Sequence, residues 1–527
     1  MKILISDSYS PKGVDLLKNY DGLTVDVKTG LSEDELVRII KEYDGLLIRS
    51  NTKVSARVIE AADKLKVIGR AGIGLDNVDI PAASRKGIVV MNTPGGNNVT
   101  TAEHTVSMLM SVSRNIPQAS RSLKQGKWEK SRFMGAEVFQ KTAGIIGLGR
   151  IGVEVCERLK GFGMTVLVYD PFISKEVGKR LEVEPVELDE LFRRSDYITV
   201  HTPLLPDTRH IINQEAFSHM KDGVFIINCA RGGIVDEKAL EEAINSDKVA
   251  GAALDVFEEE PPPDNHPLRN MAKVICTPHL GASTREAQDR VAVAVCRQAA
   301  DYLTKGIIAN AVNLPSIPPE SCEVITAYAS LAERLGTLAG QLLRGHMEEI
   351  SLTYAGEVLS HNTSYISVSA VKGVLSPILK HSVNYVNALP AAKERQINIM
   401  ETKKAESQGF ASLITLGVKT DQGTTTLAGT LFDDRSPRLV SINNVAIEVE
   451  LSGELLVVEN DDVPGVVGAL CSRLATHDIN IGGMQLGLAG TGRKAISFIN
   501  VDGSVEPAVI AELEKVSHVS RVRYAVL

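Results

Sequence analysis

The chain has 527 residues, of which 44% are hydrophobic and 23% are charged, and its formal net charge is −8. This length predicts roughly three or four domains with sizeable cores, and the acidic balance gives no support for nucleic acid as a partner. No apolar run reaches the length of a membrane span, and the six scattered cysteines include no C-x-x-C pair, so we expect a reducing cytoplasm with neither disulfides nor a metal site.

The first part of the chain predicts parallel βαβ units. Short apolar runs alternate with helical patterns over residues 1–98. The opening residues 1–7 are too short in apolar length for a signal peptide and predict the first strand instead. Thr100 and Glu103 have the spacing of a capping box, which predicts that a long helix begins near residue 101.

A glycine-rich turn opens a second βαβ series over residues 142–279. Gly147, Gly149 and Gly152 stand between a predicted strand and a predicted helix. In such a turn the glycines permit a tight bend, close backbone approach to a pyrophosphate, and close helix packing, while the helix N-terminus attracts the phosphates. Asp170 ends the next strand, where a carboxylate accepts hydrogen bonds from ribose hydroxyls and repels a 2′-phosphate. The glycines alone would also suit an ordinary turn, but together with Asp170 they predict NAD.

The pattern changes after the proline-rich stretch 313–319. Residues 320–452 begin with a helix and continue as alternating strands, and residues 453–527 predict the order β-α-β-β-α-β of a ferredoxin-like split βαβ fold. The predicted fold class is therefore α/β, with two doubly wound parallel-sheet (Rossmann-like) domains. An α+β domain and a ferredoxin-like βαββαβ domain follow them.

Three polar residues suit the oxidation of a 2-hydroxy acid. Arg231 and His279 follow predicted strands, and Glu260 ends an acidic run. Histidine is the natural base for a hydroxyl proton near neutral pH, a carboxylate would orient it, and an arginine fork matches a substrate carboxylate. Each residue alone has a plainer interpretation. Arg231 could be a hydrogen-bond donor that stabilises its loop, Glu260 could belong to a solvated loop, and His279 could cap the end of a strand.

Several motifs carry a resemblance that covers residues 1 to about 312. They are residues 70–79, 92–104, 147–152, 201–204, 228–233, 253–257 and 277–281. In them the chain resembles the D-isomer-specific 2-hydroxyacid dehydrogenases, and in particular the long subfamily that oxidises phosphoglycerate. The resemblance implies oxidation of 3-phospho-D-glycerate to 3-phosphohydroxypyruvate with NAD, the first step of phosphorylated L-serine biosynthesis.

The same resemblance implies the site residues. Arg231, Glu260 and His279 would be catalytic. The cofactor would be lined by Gly147, Gly149, Arg150, Ile151, Gly152, Asp170, Thr202, Ala230 and Asp255, the last at the nicotinamide amide. The substrate would meet Arg49, Asn51, Arg70, Gly72 and Arg132. Arg132 would reach a neighbouring subunit's site, and its alternative is a pairing with local carboxylates.

The tail, residues 453–527, resembles an ACT domain, a module that binds amino acids. Asn460, Asp462 and Asn480 match its effector positions, with L-serine as the implied effector; the alternative is a plain dimerisation module. The resemblance also implies a homotetramer, with no membrane partner. It divides the chain into a substrate-binding domain (1–98 with 281–316), an NAD-binding domain (99–280), an intervening domain (317–452) and the ACT domain.

Two other functions remain open from the sequence. One is a different D-2-hydroxyacid dehydrogenase, of the hydroxypyruvate or glycerate type, which would prefer an unphosphorylated keto acid. The other is a non-enzymatic NAD-sensing corepressor built on the same dehydrogenase fold. The ACT-like tail argues against the corepressor, because feedback by an amino acid suits a biosynthetic enzyme.

Overall fold

The computed structural model describes residues 1–315, 317, 321–380, 383–432, 435–488 and 494–527, which form four sheets. The first sheet is parallel, in the order β2-β1-β3-β4-β5. Its strands are β1 (Lys2–Ile5), β2 (Thr24–Val27), β3 (Gly45–Ile48), β4 (Val67–Arg70) and β5 (Val89–Met91). Helices α1 (Pro11–Lys18), α2 (Glu33–Ile39), α3 (Ala56–Glu60) and α4 (Ile80–Arg85) connect them. All of β3 is buried, which explains its unbroken apolar sequence.

The second sheet is also parallel, in the order β12-β11-β10-β9-β6-β7-β8. Its strands are β6 (Thr142–Ile146), β7 (Thr165–Tyr169), β8 (Glu184–Pro185), β9 (Tyr197–Val200), β10 (Val224–Asn228), β11 (Val249–Leu254) and β12 (Val274–Cys276). Its helices are α5 (Asn98–Ser113), α6 (Ile116–Lys124), α7 (Arg150–Gly161), α8 (Lys175–Leu181), α9 (Leu188–Arg194), α10 (Gln214–His219), α11 (Glu237–Asn245) and α12 (Pro267–Asn270). The strand order reverses between β6 and β9, which places a ligand crevice at the carboxyl end of β6.

The chain crosses twice between these two units. It enters the second unit at α5, and it returns to the first through α13 (Arg285–Lys305), which packs against α1 and β4. The predicted capping box is wrong, because α5 begins at Asn98 and no side chain caps it. Thr100 lies inside the helix, and its hydroxyl faces that of Thr284 at 3.2 Å.

The third unit packs two long helices against a mixed sheet, in the order β14-β13-β15-β16-β17-β18. Its helices are α14 (Cys322–Leu342), α15 (Ser364–Leu379) and α16 (Ala388–Glu394). Its strands are β13 (Met347–Gly356), β14 (Asn398–Lys404), β15 (Ser412–Thr420), β16 (Gly423–Leu431), β17 (Pro437–Ile442) and β18 (Val445–Glu450). A Cβ atom on Gly336 or Gly373 would overlap the backbone of the facing helix, so these glycines allow α14 and α15 to approach closely.

The fourth unit is an antiparallel sheet in the order β20-β21-β19-β22. Its elements are β19 (Glu454–Asp461), α17 (Val466–Ala475), β20 (Asn480–Leu488), β21 (Lys494–Asp502), α18 (Pro507–Leu513) and β22 (Val519–Val526). The predicted β-α-β-β-α-β order, and with it the predicted fold class, is confirmed. The predicted domain boundary at 316–317 adjoins residues 316 and 318–320, which lie outside the described residues.

Within the described ranges, no helix is both long enough and apolar enough to cross a membrane. Over the same ranges, no cluster of three or more His, Cys, Asp or Glu side chains has an arrangement that could hold a metal ion.

Candidate active site

His279 and Glu260 form a close pair in the crevice. Nδ1 of His279 lies 2.7 Å from Oε2 of Glu260, and both side chains keep access to solvent. Burial alone would raise the pKa of Glu260. The hydrogen bond with His279 and the positive charge of Arg231 contribute to lowering this pKa overall. Because an ionised carboxylate only accepts hydrogen bonds, Nδ1 carries a proton, and in the neutral form of the imidazole Nε2 offers its lone pair to a substrate hydroxyl.

The loop that carries Arg231 interlocks with the loop that carries Glu260. A Cβ atom on Gly232 would overlap the peptide between Phe257 and Glu258, so the glycine lets the two loops touch. Arg231 then points out of the second unit, and its Nε lies 3.4 Å from Oδ2 of Asp76 in the first unit. The structure thus brings together the three predicted catalytic residues around one crevice.

Arg49 and Arg70 extend this positive region from the first sheet. Arg49 follows β3, its peptide N–H donates to the buried Asp7 at 2.5 Å, and its side chain donates to the carbonyl of Ser8. Burial and the charges of Arg231 and Arg49 lower the pKa of Arg70. Within the described part of the chain, Nε of Arg70 is buried without a hydrogen-bond partner. These guanidinium groups provide a place for an anionic ligand.

Gly72 and Asn51 border the arginines. Gly72 has φ 152°, and a Cβ atom there would overlap the guanidinium of Arg70, so a side chain at this position would displace the arginine. Asn51 is exposed on the loop after β3. Arg132 lies elsewhere, on an exposed turn, where it bonds Glu129 at 3.1 Å and stacks on Phe133. Within this chain Arg132 therefore pairs with a local carboxylate, which is the alternative to a role in a neighbouring subunit's site.

The glycine-rich turn fits a dinucleotide pyrophosphate. Gly147 has φ 92°, and a Cβ atom there would lie 2.7 Å from Thr202 and 2.8 Å from the carbonyl of His201. A Cβ atom on Gly152 would overlap the carbonyl of Gly147, whereas one on Gly149 would meet nothing within 4 Å. Gly147 and Gly152 are therefore packed against the protein, whereas Gly149 faces open space at the N-terminus of α7.

Asp170 and Thr202 flank this turn. The carboxylate of Asp170 accepts from the N–H of Leu148 at 2.8 Å and from that of Phe172 at 2.9 Å, and it has further lone pairs for ribose hydroxyls. Within the described ranges, the hydroxyl of Thr202 is buried without a partner, which suits a polar ligand. Ala230 follows β10 and donates its N–H to Asn228. At the start of α7, Arg150 is exposed and Ile151 is half-buried.

Asp255 has a more structural setting than the sequence predicts. Its side chain has no exposed surface, and its oxygens accept from Thr277, Leu280 and Gly281. The assignment of Asp255 to the nicotinamide stays a prediction, while its contacts show that it holds the loop of His279.

The predicted effector residues lie at opposite ends of the fourth sheet, because Asn460 pairs with Ala495 near the start of β21 and Asn480 pairs with Asp502 at its end. Asn460 is buried and its amide donates to the carbonyl of Asp461, while Asn480 donates to Asp502 at 2.7 Å. Asp462 is exposed in the turn before Gly465, which precedes α17. This exposed carboxylate beside a helix N-terminus offers opposite charges within one turn.

Sequence reasoning missed three residues of the site. Asp7 supports the backbone at Arg49 and Thr52, Asp76 pairs with Arg231, and His104 bonds Asp255. Asp7 stands at the carboxyl end of β1, the same signal that identified Arg49. Asp76 and His104 lie inside the motifs of residues 70–79 and 92–104. Their contacts join elements that are distant in sequence, so no local spacing identifies them.

Comparison with known families identifies three consecutive regions. Residues 106–281 match the NAD binding domain of D-isomer specific 2-hydroxyacid dehydrogenases. Residues 324–443 match the D-3-phosphoglycerate dehydrogenase intervening domain, and residues 455–518 match the ACT domain.

Two named relatives match along nearly the whole of this chain. The chain is 42% identical to D-3-phosphoglycerate dehydrogenase of Archaeoglobus fulgidus, with all of both chains covered. It is 43% identical to the Synechocystis enzyme of that name, over 98% of this chain and 93% of the relative. Among solved structures, the TT0316 protein of Thermus thermophilus aligns over 59% of this chain and 100% of its own, at 33% identity and a TM-score of 0.55. D-lactate dehydrogenase of Escherichia coli aligns over 59% and 100%, at 30% identity and a TM-score of 0.54.

Proposed function

Because the chain belongs to the D-3-phosphoglycerate dehydrogenase family, within the D-isomer-specific 2-hydroxyacid dehydrogenases, we propose that it oxidises 3-phospho-D-glycerate to 3-phosphohydroxypyruvate with NAD. The observation that carries this substrate is the convergence of Arg49, Arg70 and Arg231 on one crevice. A substrate with a carboxylate at one end and a phosphate at the other supplies two anionic groups to these guanidinium groups.

In the proposed reaction each residue has one task. Arg231 binds the substrate carboxylate, and Arg49 and Arg70 bind the phosphate. Nε2 of His279 takes the proton of the C2 hydroxyl, and Glu260 stabilises the imidazolium that forms, through the 2.7 Å contact at Nδ1. Bound NAD would supply the acceptor for the hydride that leaves C2. Gly147–Gly152, Asp170, Thr202 and Ala230 would hold it.

Two further parts of the proposal concern regulation and assembly. L-Serine would bind the ACT domain, with its ammonium at Asp462 and its carboxylate at the N-terminus of α17. A homotetramer is supported by exposed apolar side chains: Trp128, Met134 and Phe139 between α6 and β6, and Leu486 and Leu488 on the edge strand β20. The proposed compartment is the cytoplasm, supported by six unpaired cysteines.

The proposed domain boundaries follow the sequence division at 98/99, 280/281, 316/317 and 452/453. The second of these is supported by the way in which α13 returns to the first sheet.

A panel of keto acids tests the substrate. NADH oxidation is followed with phosphohydroxypyruvate, hydroxypyruvate, pyruvate, glyoxylate and 2-oxoglutarate, each with and without L-serine. We expect a strong preference for phosphohydroxypyruvate and suppression by serine. A preference for hydroxypyruvate would contradict the phosphate role of Arg49 and Arg70 and favour the glycerate-type dehydrogenase. NADH binding without any turnover would favour an NAD-sensing protein.

A further inference from the structure

One buried carboxylate holds the loop that carries His279. Oδ1 of Asp255 accepts from the hydroxyl of Thr277 at 2.6 Å and from the N–H of Leu280 at 2.7 Å, and Oδ2 accepts from the N–H of Gly281 at 2.8 Å. The N–H of His279 itself donates to the carbonyl of Asp255 at 2.9 Å. Between these bonds the backbone of His279 has φ 53°, a left-handed conformation that residues other than glycine rarely adopt. The bonds to Asp255 therefore set the backbone conformation from which the imidazole of His279 reaches Glu260.

His104 approaches this carboxylate from helix α5. Its Nε2 lies 3.1 Å from Oδ1 of Asp255 and 3.3 Å from the hydroxyl of Thr277, and its side chain is largely buried. Burial by itself raises the pKa of Asp255, but the hydrogen bonds from His104 and Thr277 lower it overall. The carboxylate is thus ionised, and because it only accepts hydrogen bonds, Nε2 of His104 carries the proton. Without this partner the buried charge would lose one of its four donors, and Oδ1 would keep only those of Thr277 and Leu280.

The same end of α5 bonds the backbone that follows His279. The hydroxyl of Thr101 donates to the carbonyl of Gly281 at 2.9 Å, and Thr100 meets Thr284. Thr284 caps α13. The chain enters the second unit at α5 and leaves it before α13, so these contacts join the two crossings and the loop of His279 into one cluster.

We propose that His104 is a positioning residue, which acts through Asp255 to set the backbone of residues 277–281 and so to direct His279 toward Glu260. The proposal rests on the proposed function, which gives His279 its role as the base. It predicts that removal of the Nε2–H donor of His104 lowers kcat, although this donor bonds Asp255 and Thr277 and not Glu260.

Three substitutions at this position separate the donor from the volume. His104→Leu removes the donor, His104→Gln places an amide N–H near the position of Nε2, and His104→Asn is too short to reach it. The matched control is Ser113→Ala, which removes a buried hydroxyl from the same helix that bonds Leu109 and Tyr197 instead. For H104L and H104N we expect kcat to fall roughly 10- to 100-fold, as for a displaced catalytic group. KM for the keto acid and Kd for NADH should stay within about twofold.

The Gln variant should recover most of the lost kcat, and Ser113→Ala should keep the kcat of the natural chain. The proposal would be overturned if H104L kept full turnover, or if it raised Kd for NADH while kcat stayed unchanged. If H104L does not fold, the comparison of H104Q with H104N decides, and equal kcat values for these two variants contradict the proposal.

A second readout does not depend on turnover. The rate at which diethylpyrocarbonate modifies His279 is measured at neutral pH by mass spectrometry of its peptide. In H104L this rate should rise severalfold, because the imidazole leaves its hydrogen bond with Glu260 and becomes more accessible; in H104Q and S113A it should stay unchanged. An unchanged rate in H104L contradicts the proposal. If the natural chain turns over no keto acid, the proposed function fails, and this readout still decides the positioning role.

Discussion

The charge of Arg70 is only partly balanced by its protein neighbours. Burial and two other guanidinium groups disfavour its protonated form, and the opposing contributions come from Asp76 and Tyr9. Gly72 lies so close that its missing side chain makes room for the guanidinium. A bound anion would therefore stabilise this residue more than an ordinary surface arginine.

Replacing Arg70 tests which end of the substrate it binds. For Arg70→Lys we expect KM for phosphohydroxypyruvate to rise roughly 10- to 100-fold, since hydrogen bonds to charged groups contribute about 1.5–3 kcal/mol. KM for hydroxypyruvate should change little, because that acid has no phosphate. Arg57→Lys is the control, as Arg57 pairs with Asp34 on the surface of the same unit. A parallel rise for both acids would assign Arg70 to the carboxylate.

Asp255 predicts a pH-dependent contribution to stability. Its pKa is lowered in the folded chain, so the ionised group stabilises the fold above its unfolded pKa of about 3.9, and this is lost as pH falls through the folded value. We expect Asp255→Asn to lower the free energy of unfolding by about 1–3 kcal/mol at pH 7. In urea titrations the difference should shrink below about pH 4. The exposed Asp222, replaced by Asn, serves as the control, and a difference independent of pH would contradict the argument.

At the scale of elements, the turn between β6 and α7 separates two uses of glycine. Gly152 has no room for a side chain because the carbonyl of Gly147 occupies the space, whereas the space beside Gly149 is open. Packing therefore requires a glycine at position 152, whereas Gly149 leaves room for a ligand.

Alanine at each position should separate these uses. Gly152→Ala should destabilise the second unit by about 1–3 kcal/mol, the usual cost of overpacking. Gly149→Ala should leave the thermal stability of the free chain unchanged and weaken NADH binding, measured by fluorescence titration. Gly161→Ala, at the far end of α7 with nothing within 4 Å, is the control for helix propensity. Unchanged NADH affinity in Gly149→Ala would place the pyrophosphate elsewhere.

At the scale of the whole molecule, the third and fourth units share one core. Leu455, Val457 and Phe498 of the fourth sheet pack in the cluster that contains the α14 and α15 side chains of the third unit. The other face of the same sheet packs on α17 and α18. Both faces are thus covered, so we expect the two units to unfold together.

Phe498→Ala tests this shared core. Removing a fully buried phenylalanine costs about 3–5 kcal/mol, and here the loss should fall on both units. Hydrogen exchange should therefore speed up in α14 as well as in β21. Leu470→Ala, buried in the cluster that belongs to the fourth unit alone, should speed exchange mainly in that unit. Unchanged exchange in α14 after Phe498→Ala would show that the units unfold independently.

The fold class could be predicted from the sequence, because apolar runs, glycine-rich turns and helix patterns are local in the chain. The sequence also indicated Arg231 and His279, since strand ends at the carboxyl edge of a parallel sheet converge, and it offered Glu260, at the end of an acidic run, as the carboxylate that orients the histidine. It misplaced the start of α5, where propensity suggested a cap but Thr100 and Thr101 bond the segment after His279 instead.

Which polar groups meet across elements could not be predicted from the sequence, because it depends on the packing of the folded chain. The contact of His104 with Asp255 spans about 150 residues of chain, and the pair of Arg231 with Asp76 spans the two parallel sheets. Such contacts depend on how the units pack, and no periodicity records that packing. The shared core of the last two units was equally invisible, because an apolar sheet face gives the same alternating pattern whether a helix or another domain covers it.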